Sequence, residues 1–271
     1  MRGSELSKHE FTILKIGGSV ITDKNGELAA RTQEIDRLAG EIQKASLKGL
    51  IVVHGGGSFG HPSAQKYRIK DGLKEDSQKI GFSETHHVMT VLNGLVMDCL
   101  IWHGVPAVSV TPSSCIITEN GRMKHFEDTS LRTLLEMDFI PVLYGDAVLD
   151  SKQGFTILSG DQLVSSLAVR FNADRIVVGV DVDGLYDADP KVEEKARLFA
   201  HLTLEELKML QNKLCKPASR DVTGGMYGKV AELLLAVERG IPVTLVNASK
   251  PGNVYKVLEG KTVEGTVIRK E

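Results

Sequence analysis

Cysteine is scarce and unpatterned: Cys99, Cys115 and Cys215 are odd in number and widely spaced. That excludes a disulfide framework and thiolate metal pairs, and it suits a reducing compartment, so a cytoplasmic location is expected. No apolar run approaches the roughly 20 residues of a membrane-spanning helix, and no signal peptide is present. Neither sign of charge dominates, because 33 Lys and Arg stand against 35 Asp and Glu for a net charge of −2. The basic excess that marks a nucleic-acid surface is therefore missing. Aromatic residues make up only 5%, yet 42% of the 271 residues are hydrophobic, enough for a sizeable globular core. Internal repeats and Pro/Gly/Ser-rich linkers are absent too. Met1-Arg2-Gly3-Ser4 looks like an expression leader, and residues 1–10 are left out of the expected fold.

Glycine, by contrast, is plentiful, and it falls at the ends of predicted strands. Ile51-Val52-Val53-His54 runs into Gly55-Gly56-Gly57-Ser58-Phe59-Gly60-His61, and Pro62 follows at a place suited to a first helical turn. Phe11–Ile16 is a second buried strand, ending in Gly17-Gly18-Ser19, with Val20–Thr22 continuing extended. Strands are also predicted at 105–110, 140–144, 175–180 and 241–247. Helical spacing marks 32–46, 130–137, 162–171, 203–212, 227–239 and 253–258. Thr203 and Glu206 have the spacing of a capping box. The longest helix carries Val88, Val91, Leu92, Leu95, Cys99 and Trp102 as its buried stripe. Asn120-Gly121 and Lys152-Gln153-Gly154 signal two hairpins. The polar stretch Gln65–Gln78 reads as a mobile surface segment. Strands alternating with helices indicate a three-layer αβα sandwich with a mainly parallel central sheet. The expected lobes are 11–160 and 161–271.

A strand–glycine–helix junction lets backbone N–H groups approach a phosphate closely. Two known phosphate motifs nevertheless fail here. Gly55, Gly57 and Gly60 satisfy G-x-G-x-x-G, but the acidic Asp71, Glu75 and Asp76 end no apolar strand, as a dinucleotide site requires. The run around Gly228-Lys229 approximates a P-loop, with Thr223 in place of its first glycine and Val230 in place of the magnesium-binding hydroxyl. His86 and His87 are adjacent, so they point apart on a helix and form no metal pair. His103 and His125 read as surface or capping residues.

Five segments in this order, Lys15–Ser19, His54–His61, Ser159-Gly160-Asp161, Asp181–Gly184 and Asp221–Lys229, resemble the amino acid kinase superfamily over nearly the whole chain. His61, with Lys15 and Lys24, makes the pattern most similar to the isopentenyl phosphate kinase branch, with fosfomycin kinases as the alternative. A catalytically silent nucleotide-binding protein is the alternative outside enzymes. The resemblance implies ATP and Mg2+ as cofactors, the metal held by ATP phosphates and water rather than by side chains. It implies Lys15, Lys24, His61, Asp161 and Lys229 as catalytic residues. ATP would lie along Lys15, Gly17, Gly18, Ser19, Gly57, Asp181, Gly225 and Lys229. The acceptor phosphate would meet Gly56, His61 and Gly160, with Phe82, Thr85, Ala147 and Ile157 around its apolar tail. The acceptor lobe would be 11–160 and the ATP lobe 161–271. A homodimer is implied, with no nucleic-acid or membrane partner.

Overall fold

The computed structural model describes residues 11–23, 25–214 and 224–271. Its strands are β1 (Thr12–Ile16), β2 (Leu50–His54), β3 (Ala107–Ser109), β4 (Ile116–Glu119), β5 (Arg122–Phe126), β6 (Ile140–Tyr144), β7 (Asp146–Asp150), β8 (Gly154–Leu158), β9 (Arg175–Val180), β10 (His201–Thr203), β11 (Val243–Asn247) and β12 (Gly265–Arg269). Its helices are α1 (Gly18–Ile21), α2 (Thr32–Ala45), α3 (Gly57–Lys66), α4 (Ser77–Trp102), α5 (Pro112–Cys115), α6 (Thr129–Glu136), α7 (Gly160–Phe171), α8 (Leu204–Leu214), α9 (Gly224–Glu238) and α10 (Asn253–Leu258).

Eight strands form one sheet in the order β10-β12-β11-β9-β1-β2-β6-β3. Every pairing is parallel except β11 with β12. β1 and β2 are buried at all five positions, as the continuous apolar runs of a two-sided parallel sheet require. Two large cores fill the two faces. One holds Ile13, Val53, Leu163 and Val178, the other Leu14, Val52, Leu92 and Val142. Alternate residues of β1 thus feed opposite layers, which is the αβα sandwich.

A second sheet, β5-β4-β7-β8, is built from the two expected hairpins. Asn120 and Gly121 both have positive φ, 50° and 74°, as a two-residue hairpin turn demands. Asp150 ties the two hairpin tips together. Its buried carboxylate accepts from the N–H groups of Asn120, Gly121, Lys152 and Gln153 and from the Thr118 hydroxyl. The capping box also forms: the Thr203 hydroxyl accepts from the Glu206 N–H, and the Glu206 carboxylate from the Thr203 N–H.

Four expectations are corrected. Val20 and Ile21 are not extended but complete α1, where they fill the core below the first glycine loop. α3 begins at Gly57, so Pro62 falls at its sixth position, inside the helix rather than in its first turn, where it has no N–H to offer the Ser58 carbonyl. Residues 65–78 are packed rather than mobile: Ile69 is fully buried, and buried Gln78 donates to the carbonyls of Tyr67 and Arg68. The buried face of α4 runs Thr85, Met89, Leu92, Val96 and Leu100, about one position off the predicted stripe. Val91 and Trp102 are exposed.

Candidate functional site

The carboxyl ends of β1, β2 and β6 meet at one edge of the sheet, the place where open α/β sheets bind ligands. The glycine loops after β1 and β2 touch there. A methyl group on Gly18 would lie 2.3 Å from the Gly57 nitrogen. Gly57 has φ +49°, and a methyl group there would overlap the Thr22 hydroxyl at 1.9 Å, so no side chain fits. Thr22 Oγ1 donates to the Gly18 carbonyl at 2.7 Å and accepts from the Ser58 N–H at 3.0 Å. One buried hydroxyl therefore sets the two loops in register.

The backbone bonds show which donors are left for a ligand. The Gly17 N–H is taken by the Gly179 carbonyl at 2.8 Å and cannot serve in a cradle, contrary to expectation. Gly18, Gly56 and Gly57 have N–H groups without an acceptor among the described residues. The buried hydroxyls of Ser58 and Thr85 also lack a partner among them. Orphaned donors around a cradle that no Cβ may enter fit the oxygens of phosphate groups.

Lys15 is only 2% exposed, so it is no solvated rim charge. Its Nζ donates to Asp161 Oδ1 at 2.5 Å. Asp161 stands in the first turn of α7, whose cap is the Ser159 hydroxyl, accepting from the Gln162 N–H. Gly160 approaches the same edge, 3.4 Å from the His54 carbonyl at its Cβ position. Ser19 donates to Asp181 at 3.0 Å, and Lys191 pairs with the other oxygen of that carboxylate at 2.5 Å. Asp183 is held by Lys250 and Asn247, which keep its pKa low despite burial.

His61 lies one helical turn beyond Gly57, hence on the same side of α3, and is exposed. Lys229 is half-buried in the second turn of α9, which packs on α7. Gly225 lies in the first turn of α9. Lys24 lies outside the described residues. Three of the expected tail residues meet in one small apolar cluster: Ala147 is buried with Ile69 and Phe155, and Phe82 and Ile157 pack against them, while Thr85 lies one turn on from Phe82. The Phe82 and Phe155 rings sit 5.2 Å apart.

Sequence reasoning passed over His54, which is fully buried at the end of β2. Burial lowers its pKa, outweighing its bonds to the Gly55 carbonyl and Asn93, so the ring is neutral. His86, set aside as a metal ligand, was given no other role, and Asp146 was not singled out. The available signal was an acidic residue directly after a strand-ending glycine. Among the described residues no cluster of three or more His, Cys, Asp or Glu is placed to hold a metal, and no helix is long and apolar enough to cross a membrane.

The chain is similar to known proteins over nearly its whole length. A model of the amino acid kinase family matches residues 10–247. The isopentenyl phosphate kinase of Methanothermobacter thermautotrophicus is 42% identical over 264 residues, covering 94% of this chain and 98% of that protein. A solved isopentenyl phosphate kinase structure aligns with TM-score 0.84 at 40% identity, over 95% of this chain and 99% of its own. The product complex of the T. acidophilum isopentenyl phosphate kinase aligns with TM-score 0.78 at 32% identity, over 96% and 100% respectively.

Proposed function

Because the chain belongs to the amino acid kinase family, we propose that it transfers the γ-phosphoryl group of ATP to isopentenyl phosphate, giving isopentenyl diphosphate and ADP. The observation that carries this reading is a buried Lys15, fixed by Asp161, beside three orphaned glycine N–H groups. Phosphoryl transfer needs positioning and charge neutralisation more than covalent chemistry. An oxygen of the acceptor phosphate attacks the γ-phosphorus as the bond to ADP breaks. That oxygen is already anionic, so no strong base is required. Lys15 neutralises charge on the transferring group, and Asp161 holds the lysine where that charge develops. Gly18, Gly56 and Gly57 donate to the phosphates that meet in the transition state. Lys229 brackets them, a role the family resemblance also assigns to Lys24, and Asp181 and Gly225 lie along the nucleotide. Magnesium, when bound with ATP, would add further neutralisation of the phosphate charge.

Strands from before Gly160 lie on one side of β1 and strands from after it on the other. This supports an acceptor lobe over 11–160 and an ATP lobe over 161–271. A homodimer belongs to the same reading, supported by the apolar Val91, Ile101 and Trp102 that α4 leaves exposed. Sedimentation equilibrium giving the mass of one chain at micromolar concentration would remove it. The free thiols Cys99 and Cys115 suit the cytoplasm.

The direct test is coupled ADP release with isopentenyl phosphate, fosfomycin, glutamate and uridylate as separate acceptors. Turnover is expected with isopentenyl phosphate foremost, and preference for any of the others overturns the reading. Within it, His61 anchors the acceptor phosphate as a donor. His61→Gln, which keeps a donor, is expected to retain more activity than His61→Ala, which mainly raises the acceptor KM. Equal loss of kcat in both, with KM unaltered, would instead mark His61 as a proton-transfer group.

The tail cluster gives a second expectation. Phe82→Ala and Ile157→Ala should raise kcat/KM for geranyl phosphate relative to isopentenyl phosphate, since each additional buried methylene contributes about 0.8 kcal/mol. An unchanged ratio with a melting temperature several degrees lower would make both residues ordinary core.

A further inference from the structure

Asp146 opens β7 and is fully buried. Its Oδ1 accepts from the Ala147 N–H at 2.9 Å and its Oδ2 from the Ser113 N–H at 3.3 Å. His86, on α4, donates from Nδ1 to the same carboxylate, 3.0 Å from Oδ1 and 3.1 Å from Oδ2. The Ser113 hydroxyl lies 3.4 Å from that nitrogen. A charge taken out of water costs heavily unless an opposite charge and hydrogen bonds compensate it. Cys115 of α5 and Tyr144 of β6 also feel the Asp146 charge. Burial pushes the thiol up to about 11 and raises the phenol as well, so both are neutral near pH 7 and neither compensates it. On α4 itself, Glu84 is turned to Lys66, 3.9 Å away, and His87 is exposed. His86 is thus the cation available to Asp146 among these neighbours.

The pair adjoins both parts of the acceptor site. Gly145, just before Asp146, donates to the His54 carbonyl at 3.1 Å, and a methyl group on it would lie 3.1 Å from the Gly160 nitrogen. Thr85 precedes His86, with Phe82 one turn back, while Ala147 follows Asp146 and pairs with Ile157 across the hairpin. The two walls of the tail cluster are therefore joined by this contact.

We propose that His86 and Asp146 act as a positioning pair for the acceptor: protonated His86 cancels a carboxylate buried beside the phosphate cradle and ties the walls of the tail slot together. This rests on the reading of that edge as the acceptor site. The hydrogen bond to Asp146 raises the His86 pKa above its ordinary value, against the burial that lowers it. Below the raised pKa the pair is neutral overall. As pH rises through it, an uncompensated negative charge is left near a site that binds a phosphate dianion, and acceptor affinity falls.

The acceptor KM should accordingly rise about fivefold or more as pH climbs through the His86 titration, with the ATP KM and kcat moving far less. His86→Gln should hold the acceptor KM at its high value and abolish the pH limb. The double variant His86→Gln/Asp146→Asn, an amide pair without charge, should bring the acceptor KM back toward wild type. A pH limb that survives in His86→Gln, or a double variant no better than the single one at equal melting temperature, overturns the proposal. A measurement on the wild type guards against variants that do not fold. By reciprocity, saturating isopentenyl phosphate must raise the His86 pKa followed by NMR, and so must inorganic phosphate. A His86 pKa unmoved by either probe also overturns it. Failure of the functional reading shows separately, as absence of ADP release with isopentenyl phosphate, and leaves the inorganic phosphate titration decisive.

Discussion

Lys15→Met is expected to lower turnover about 10²–10³-fold, the loss seen when one preorganised contact to developing charge is removed. Lys15 and Asp161 are both largely shielded, with side chains 3% and 13% exposed. Removing the cation alone leaves the carboxylate unpaired, so the single variant should also lose stability. Asp161→Asn added to Lys15→Met should restore the melting temperature while leaving turnover low. That pattern separates the catalytic part of the pair from its structural part. Near-normal turnover in a folded Lys15→Met protein would remove Lys15 from the chemistry.

Asp150→Ala should destabilise the protein by about 3 kcal/mol at pH 7, since it leaves several donors at the two hairpin tips without their acceptor. For a chain of this size that corresponds to a melting temperature roughly 6–12 °C lower. The bonds from the Gly121, Lys152 and Gln153 N–H groups and from Thr118 outweigh burial and hold the Asp150 pKa at about 2. A carboxylate with a depressed folded pKa contributes stability above its unfolded value, near 4, and loses it as pH falls toward 2. The gap between wild type and variant should therefore narrow over that interval, by roughly 2 kcal/mol. A gap independent of pH would mean that Asp150 acts through packing rather than through its charge.

Much of the fold was legible because local and tertiary demands coincide. The run of β-branched residues from Arg175 to Val180 is buried nearly throughout, and its predicted limits match β9. The Asn120-Gly121 turn and the Thr203 capping box are set by chemistry within a few residues, so they too were readable. β12 was missed: its alternation of half-buried and buried positions is short and bordered by charge, and its place is fixed by pairing with β11. α1 was missed because Val20 and Ile21 favour strands in isolation, and the packing beneath the glycine loop overrides that preference. For α4, apolar residues occur on more than one face, and sequence alone did not say which face meets the sheet.

At the site, Lys15 and Asp161 were picked out 146 residues apart and stand in contact. Thr22, His54, His86 and Asp146 were given no such role from the sequence, because they act through partners distant in the chain and no local spacing marks such contacts.

β1 is bonded along its length to β2 on one side and β9 on the other. The strands before Gly160 and those after it therefore share a spine, and a hinge between them would have to break a buried ladder. Substrates must enter and products leave while that spine stays rigid. The second sheet is anchored to it, because Ile116, Phe126, Val148 and Leu158 of its strands are buried in the same core as Ile13 of β1 and Val178 of β9.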